Sequence, residues 1–162
     1  MEKKKVYVET TVVSDATALP TNDLVLMGRQ ITTIKWWNTA TDRFDLFCSD
    51  VVKREALRGD QEAAKRRLNA LKGMPELRAS PEALMLAEQL IIRKAVPKEY
   101  PDDALHIAIA TVEKMDFLVS WNFKHITNAQ KIPLVKQICE DNGYKCPEIC
   151  TPYQLQQDGG NE

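Results

Sequence analysis

Between Val6 and Ser14 the chain reads VYVETTVVS. Three strand-forming residues lead straight into a carboxylate, Glu9, which two threonines and a further apolar pair follow. A short continuous apolar run of this kind fits an inner strand buried on both faces, as the strands of parallel sheets are. Glu9 then stands where such a strand ends, with no basic residue just downstream to neutralise it.

Outward from this stretch the chain alternates between strand and helix patterns. Lys5 to Val8 reads as the strand. A turn around Ala18-Leu19-Pro20-Thr21-Asn22 precedes a helical pattern from about Asp23 to Trp37, for which Thr21 or Asn22 is the expected cap. Arg43 to Cys48 reads as a second strand. Ser49 is a good N-cap for a helix carrying Val51, Val52, Ala56 and Leu57, which stops at Gly59. Asp60 to Leu71 reads as another helix, broken by Gly73-Met74-Pro75 before a short strand at Glu76 to Ala79. Ser80-Pro81-Glu82 opens the next helix, with Ala83, Leu86, Ala87, Leu90 and Ile91 as its apolar stripe, running to about Lys94. Pro101 opens a further one, in which Ala104, Leu105, Ala108, Ile109 and Val112 repeat at helical spacing. DFLVS, Asp116 to Ser120, reads as a buried strand, Ala129 to Asn142 as a long helix ended by Gly143, and PEICTP as an edge strand. This succession predicts an α/β fold with a mostly parallel sheet covered on both faces.

The length of 162 residues suits one domain, expected over residues 1–155, with 156–162 as a disordered tail. A net charge of -1 gives no overall attraction for nucleic acid, so any such contact needs a local basic patch. The start MEKKKVYVE has positive charge but no apolar core of a signal peptide, and no long apolar run occurs, so the expected setting is cytoplasmic, without a membrane. The 4 cysteines include no C-x2-C pair of the kind structural zinc sites use, and buried or half-buried thiols are expected.

In open parallel sheets the useful crevice lies beyond the carboxyl ends of the strands. Glu9 sits at one such end, and Asn122, just past DFLVS and Trp121, sits at another. Asp102 and Asp103 open the helix before that strand, where the helix dipole favours negative charge. Glu55 has Val51, Val52 and Gly59 one turn away, which puts an acid on an apolar stripe. Each acid has an ordinary explanation taken singly: an ion pair for Glu9, helix capping for Asp102 and Asp103, and surface pairing with Lys53 or Arg54 for Glu55. Brought into one crevice they repel, and the natural compensation is a hard divalent cation, Mg²⁺ or Mn²⁺, with oxygen ligands. No histidine or cysteine cluster accompanies them to argue for zinc.

VYVETTVVS, the RQITTIKWW helix, SDVVKREALRGD, PDDALHIAIA and LVSWNFKHITN, in this order and spacing, resemble the PIN-domain proteins, in particular a bacterial branch of VapC-like toxins. The likeness runs from about Lys5 to Tyr153. It implies a three-layer α/β/α sandwich whose acidic cluster binds Mg²⁺ or Mn²⁺ and hydrolyses RNA phosphodiester bonds, typically as the toxin of a toxin–antitoxin pair. An RNA substrate, an antitoxin protein and a homodimer are implied with it. Position by position, the resemblance makes Glu9 the first-strand acid, Glu55 the acid of the early helix and Asp103 the acid that begins DALHIA. Asn122 takes the fourth position, where many PIN domains carry Asp, and Asp102 is a candidate auxiliary acid if it turns inward. Glu for Asp at residue 9 and an amide at residue 122 also suit a second reading, a PIN fold serving as a binding or regulatory module. A phosphate-accepting signalling domain would need a strand-end acid and a lysine on a later strand, and the strand ends here offer Glu9, Ser49 and Asn122 instead.

Lys53, Arg54, Lys124 and His125 flank the acids and are candidate contacts for RNA phosphates, with solvated surface charge as the ordinary alternative. Arg29, Thr32 and Thr33 match the family pattern and are candidates to line the crevice, although a mid-helix arginine more often makes structural pairs. Only one of Trp36 and Trp37 can face the core. Trp121 either packs over the strand end or stacks on a base. His106, one turn from Asp103 in an apolar helix, reads as a buried, hydrogen-bonded histidine rather than a ligand.

Overall fold

In the computed structural model, which describes residues 2–157, five parallel strands form one sheet. They are β1 (Lys4–Val8), β2 (Phe44–Ser49), β3 (Glu76–Leu77), β4 (Phe117–Val119) and β5 (Glu148–Cys150), in the spatial order β3-β2-β1-β4-β5. Seven helices connect and cover them: α1 (Thr10–Thr17), α2 (Leu24–Arg43), α3 (Asp50–Ala56), α4 (Gln61–Ala70), α5 (Pro81–Ile92), α6 (Pro101–Val112) and α7 (Ile132–Asp141). The expected α/β architecture is the observed one. No described helix is long and apolar enough to cross a membrane.

β1 is the central strand: its Lys4 and Lys5 are exposed at the entry, and Val6, Tyr7 and Val8 are fully buried. It pairs with β2 on one side, Val6 against Leu46, and with β4 on the other, Tyr7 against Leu118. The strand order runs one way from β1 to β3 and the other way from β4 to β5, so chain connections diverge between β1 and β4. A crevice opens at such a switch point, beyond the carboxyl ends of the strands. Glu9 follows β1 directly, and Ser120 follows β4.

Capping chemistry fixes two helix starts as the sequence predicts. The Ser49 and Ser80 hydroxyls accept from the N–H groups of Val52 and Ala83, each at 3.1 Å. For α2 the cap is Asp23, not Thr21 or Asn22: its carboxylate accepts from both Val25 and Leu26 N–H at 3.0 Å. That helix also continues past Trp37 to Arg43, drawn on by the burial of Ala40. α7 is shorter than its pattern, beginning at Ile132, because Asn128 organises a turn through Lys131. Trp36 enters the core and Trp37 stays half-buried. Cys48, Cys139 and Cys150 are buried free thiols, and Cys146 is half-buried.

One element escapes the sequence reading. TTVVSDAT forms α1, although threonine and valine lose side-chain freedom in helices at about 0.5 kcal/mol each. Val12 and Val13 are fully buried, and burying a valine contributes about 1.5 kcal/mol or more, so tertiary packing outweighs local preference. Residues 158–162, most of the tail expected to be disordered, lie outside the described residues.

Candidate functional site

The strand-end crevice has a volume of about 370 Å³, and Glu9, Glu55, Asp103 and Asn122 all line it. It is not the largest cleft, since one of about 620 Å³ opens beside α7 against Lys136, Glu140 and Lys145. Chemistry rather than size distinguishes the strand-end cleft, because its four carboxylates, Glu9, Asp15, Glu55 and Asp103, come from different parts of the chain and each is held by its own donors.

Glu9 is only 3 % exposed. Its Oε1 accepts from the Thr11 hydroxyl and the Ser120 hydroxyl, both at 2.5 Å, while Oε2 takes no part in these bonds. Burial raises its pKa above the ordinary value of 4.5, against the opposing pull of His106 and of the two hydroxyls. Among the described residues no lysine or arginine forms an ion pair with it.

Glu55 repeats the pattern from α3. Its Oε1 accepts from the Thr10 hydroxyl at 2.6 Å and sits 2.6 Å from His106 Nε2, leaving Oε2 outside these contacts. Burial pushes its pKa up, but the His106 hydrogen bond and charge, with Thr10 and Arg58, outweigh that and hold it below the ordinary value. Asp103, at the start of α6, accepts from His125 Nδ1 on Oδ2 at 2.8 Å. In all three carboxylates the side-chain donors engage one oxygen, which suits a cation ligand oriented by its neighbours.

The acids are not equally close. One ligand atom each from Glu9, Glu55 and His106 lie within 4.8 Å of one another, a grouping that could hold a metal ion, and Asp103 stands outside it on the same cleft. The carboxylate oxygens of Glu9, Glu55 and Asp103, with no described lysine or arginine ion-paired to Glu9, fit a hard divalent cation better than a soft one. Asn122 lines the cleft, but its Oδ1 already accepts from the His125 N–H at 3.0 Å, and its neutral amide attracts a cation less than a carboxylate does.

Several candidate residues have other uses. Asp102 does not line the cleft. It pairs with Arg54 at 2.6 Å and Arg58 at 3.4 Å, because its neighbour Asp103 takes the inward direction and successive helical positions diverge by about 100°. Lys53 is paired with Glu76 at 2.7 Å and Arg54 with Asp102, and neither lines the cleft. Lys124 is exposed and outside the lining, and His125 is buried against Asp103 with its ring 4.2 Å from that of Tyr100. Trp121 is 8 % exposed, donates from Nε1 to Thr33 Oγ1 at 2.8 Å and has Arg29 over its ring, so packing over the strand end is its main engagement.

The cations that do line the cleft are Arg29 and Arg58. Arg29 uses Nε on Asp15 at 3.1 Å, and burial raises the Asp15 pKa against the effect of that arginine. The hydroxyls of Thr10, Thr11 and Ser120, which donate to these carboxylates, are a feature that sequence reasoning did not assign. The paired threonines after Glu9 were the visible signal for two of them, whereas Ser120 is 111 residues from its partner.

No family model matches this sequence, and no similar sequence is found among curated proteins. Among solved structures, the chain resembles VapC20 from Mycobacterium tuberculosis, a Sarcin-Ricin loop cleaving toxin, with 14 % identity and a TM-score of 0.54. The match covers 74 % of this chain and 92 % of that one. At this identity the likeness establishes the fold, a PIN-like α/β sandwich.

Proposed function

We propose that this protein is a divalent-metal-dependent endoribonuclease, acting on RNA phosphodiester bonds as the toxin of a toxin–antitoxin pair. The observation that carries the reading is the convergence of Glu9, Glu55 and Asp103 on one cleft, each with one oxygen fixed and one outside those bonds. The fold shared with a Sarcin-Ricin loop cleaving toxin supports it.

In this reading Glu9, Glu55 and Asp103 hold Mg²⁺ or Mn²⁺, with Asn122 as a weaker fourth group. Bound there, the ion supplies the charge that offsets the clustered carboxylates and the Lewis acidity that phosphodiester hydrolysis uses. Thr10, Thr11, Ser120 and His125 keep the carboxylates aimed. Arg29 and Arg58 stand on the cleft wall as the groups to hold the substrate's phosphates, in place of Lys53 and Arg54.

Purified protein incubated with single-stranded RNA and Mn²⁺ is expected to cleave it, and Asp103→Asn to abolish cleavage. Equal activity in that variant removes the assignment. The engagement of Asn122 Oδ1 in a turn favours a second reading, a binding module without catalysis. Calorimetric titration with Mn²⁺ separates the two, because the module predicts no binding at the acids.

A further inference from the structure

Behind Glu55 runs a continuous buried chain of polar groups. Ser49 Oγ lies 2.7 Å from the Tyr7 hydroxyl, which lies 2.7 Å from His106 Nδ1, and His106 Nε2 lies 2.6 Å from Glu55 Oε1. Ser49, Tyr7 and His106 are each 0 % exposed. They come from the end of β2, from β1 and from α6, so the chain threads three elements to reach a carboxylate on a fourth.

Proton counting gives this chain a direction. Ser49 Oγ already accepts from the Val52 N–H as the cap of α3, so its own proton is free to go to the Tyr7 oxygen. Tyr7 can then donate to a bare His106 Nδ1, which leaves the ring proton on Nε2, facing Glu55. Each proton is used once. The opposite arrangement puts a proton on Nδ1, turns the tyrosine toward Ser49, and leaves the serine proton buried with neither of its two hydrogen-bond partners able to accept it.

We infer that Tyr7 and Ser49 are positioning residues that fix His106 as its Nε2–H tautomer, and that His106 orients Glu55 for the cation instead of ligating it. The inference rests on the metal-dependent reading above, and it assigns the Glu9–Glu55–His106 grouping to two ligands and one orienting donor. A nitrogen that carries a proton has no lone pair for a metal.

The chain contains 2 histidines, so ring ¹⁵N–¹H correlation spectra of the whole protein are readily assigned. At a pH where the rings are neutral, His106 is expected to show the Nε2–H pattern, both without metal and with saturating Mg²⁺. An Nδ1–H pattern, or loss of the Nε2 proton when Mg²⁺ is added, overturns the inference. Tyr7→Phe, which keeps the ring and removes the lock, is expected to weaken Mn²⁺ binding about 10-fold or more, the usual cost of losing a partner behind a metal ligand. His106→Gln, whose amide can still donate toward Glu55, is expected to bind Mn²⁺ more tightly than His106→Leu. Equal loss in those two variants marks His106 as a ligand and sinks the proposal. Mn²⁺ binding without RNA cleavage in the wild type refutes the nuclease reading but supports the positioning role. No Mn²⁺ binding in the wild type refutes both.

Discussion

Replacing Glu9 with glutamine tests the electrostatic logic of the cleft. Glu9 is almost fully buried, and its ligand oxygen lies within 4.8 Å of that of Glu55. Two unit charges at that separation repel by roughly 3 kcal/mol at an effective dielectric near 20. The N–H that His106 directs at Glu55 offsets part of this, so Glu9→Gln is expected to stabilise the metal-free protein by about 1–3 kcal/mol, while the amide oxygen keeps the bonds from Thr11 and Ser120. For a chain of this size that corresponds to a melting temperature raised by roughly 3–10 °C in EDTA. Saturating Mn²⁺ should then raise the wild-type melting temperature by a comparable amount and the variant's very little. The pH dependence has a definite sign. Because burial raises the Glu9 pKa in the folded state, the folded protein binds more protons than the unfolded one between 4.5 and that raised value. The destabilisation is therefore fully present above the folded pKa and fades as the pH falls toward 4.5, so the gap between variant and wild type should close in acid. A variant less stable than wild type in EDTA at neutral pH, or equal stabilisation of both by Mn²⁺, would refute the reasoning.

Asp102→Asn breaks the ion pairs with Arg54 and Arg58 at a partly exposed position, so a loss of about 1 kcal/mol or less is expected, with Mn²⁺ affinity by calorimetry unchanged. A marked drop in that affinity would return Asp102 to the site. Arg29→Met should act in opposite directions on the two ligands: RNA binding, measured by filter retention, weakens about 10-fold or more, while Mn²⁺ binds as tightly or tighter because a nearby positive charge is gone. Parallel weakening of both would mean that Arg29 only supports the fold. Trp121→Phe removes the Nε1 donor and leaves Thr33 without that contact, and chemical denaturation should report a loss of about 1 kcal/mol. If RNA binding falls while stability is unchanged, Trp121 stacks on a base after all.

The difference between legible and illegible features follows the range of the interactions involved. Ser49 and Ser80 mark helix starts because a cap bonds to an N–H three residues away, and Pro101 because its fixed φ suits the first helical position, all within reach of a sequence pattern. Thr21 and Asn22 misled by one or two positions, since three polar residues in a row compete for the same cap and only local backbone geometry chooses Asp23. α1 was hidden for a different reason. Its residues prefer strands, and only the pocket that buries Val12 and Val13 makes them helical.

The sequence by itself determined the parallel α/β sheet and the placement of Glu9 at a strand end, because continuous apolar runs and capping residues act over a few positions. It also brought Glu55, Asp103 and Asn122 forward as companions of Glu9, through spacing and family likeness. Tertiary structure alone decided that Asp103 faces the cleft while Asp102 meets Arg54, and that Arg29 and Arg58, not Lys53, line the wall. It alone joined Ser49, Tyr7 and His106 into one buried chain behind Glu55. Those outcomes depend on which face of each helix meets which neighbour, a choice set by the packing of elements that lie far apart in the chain.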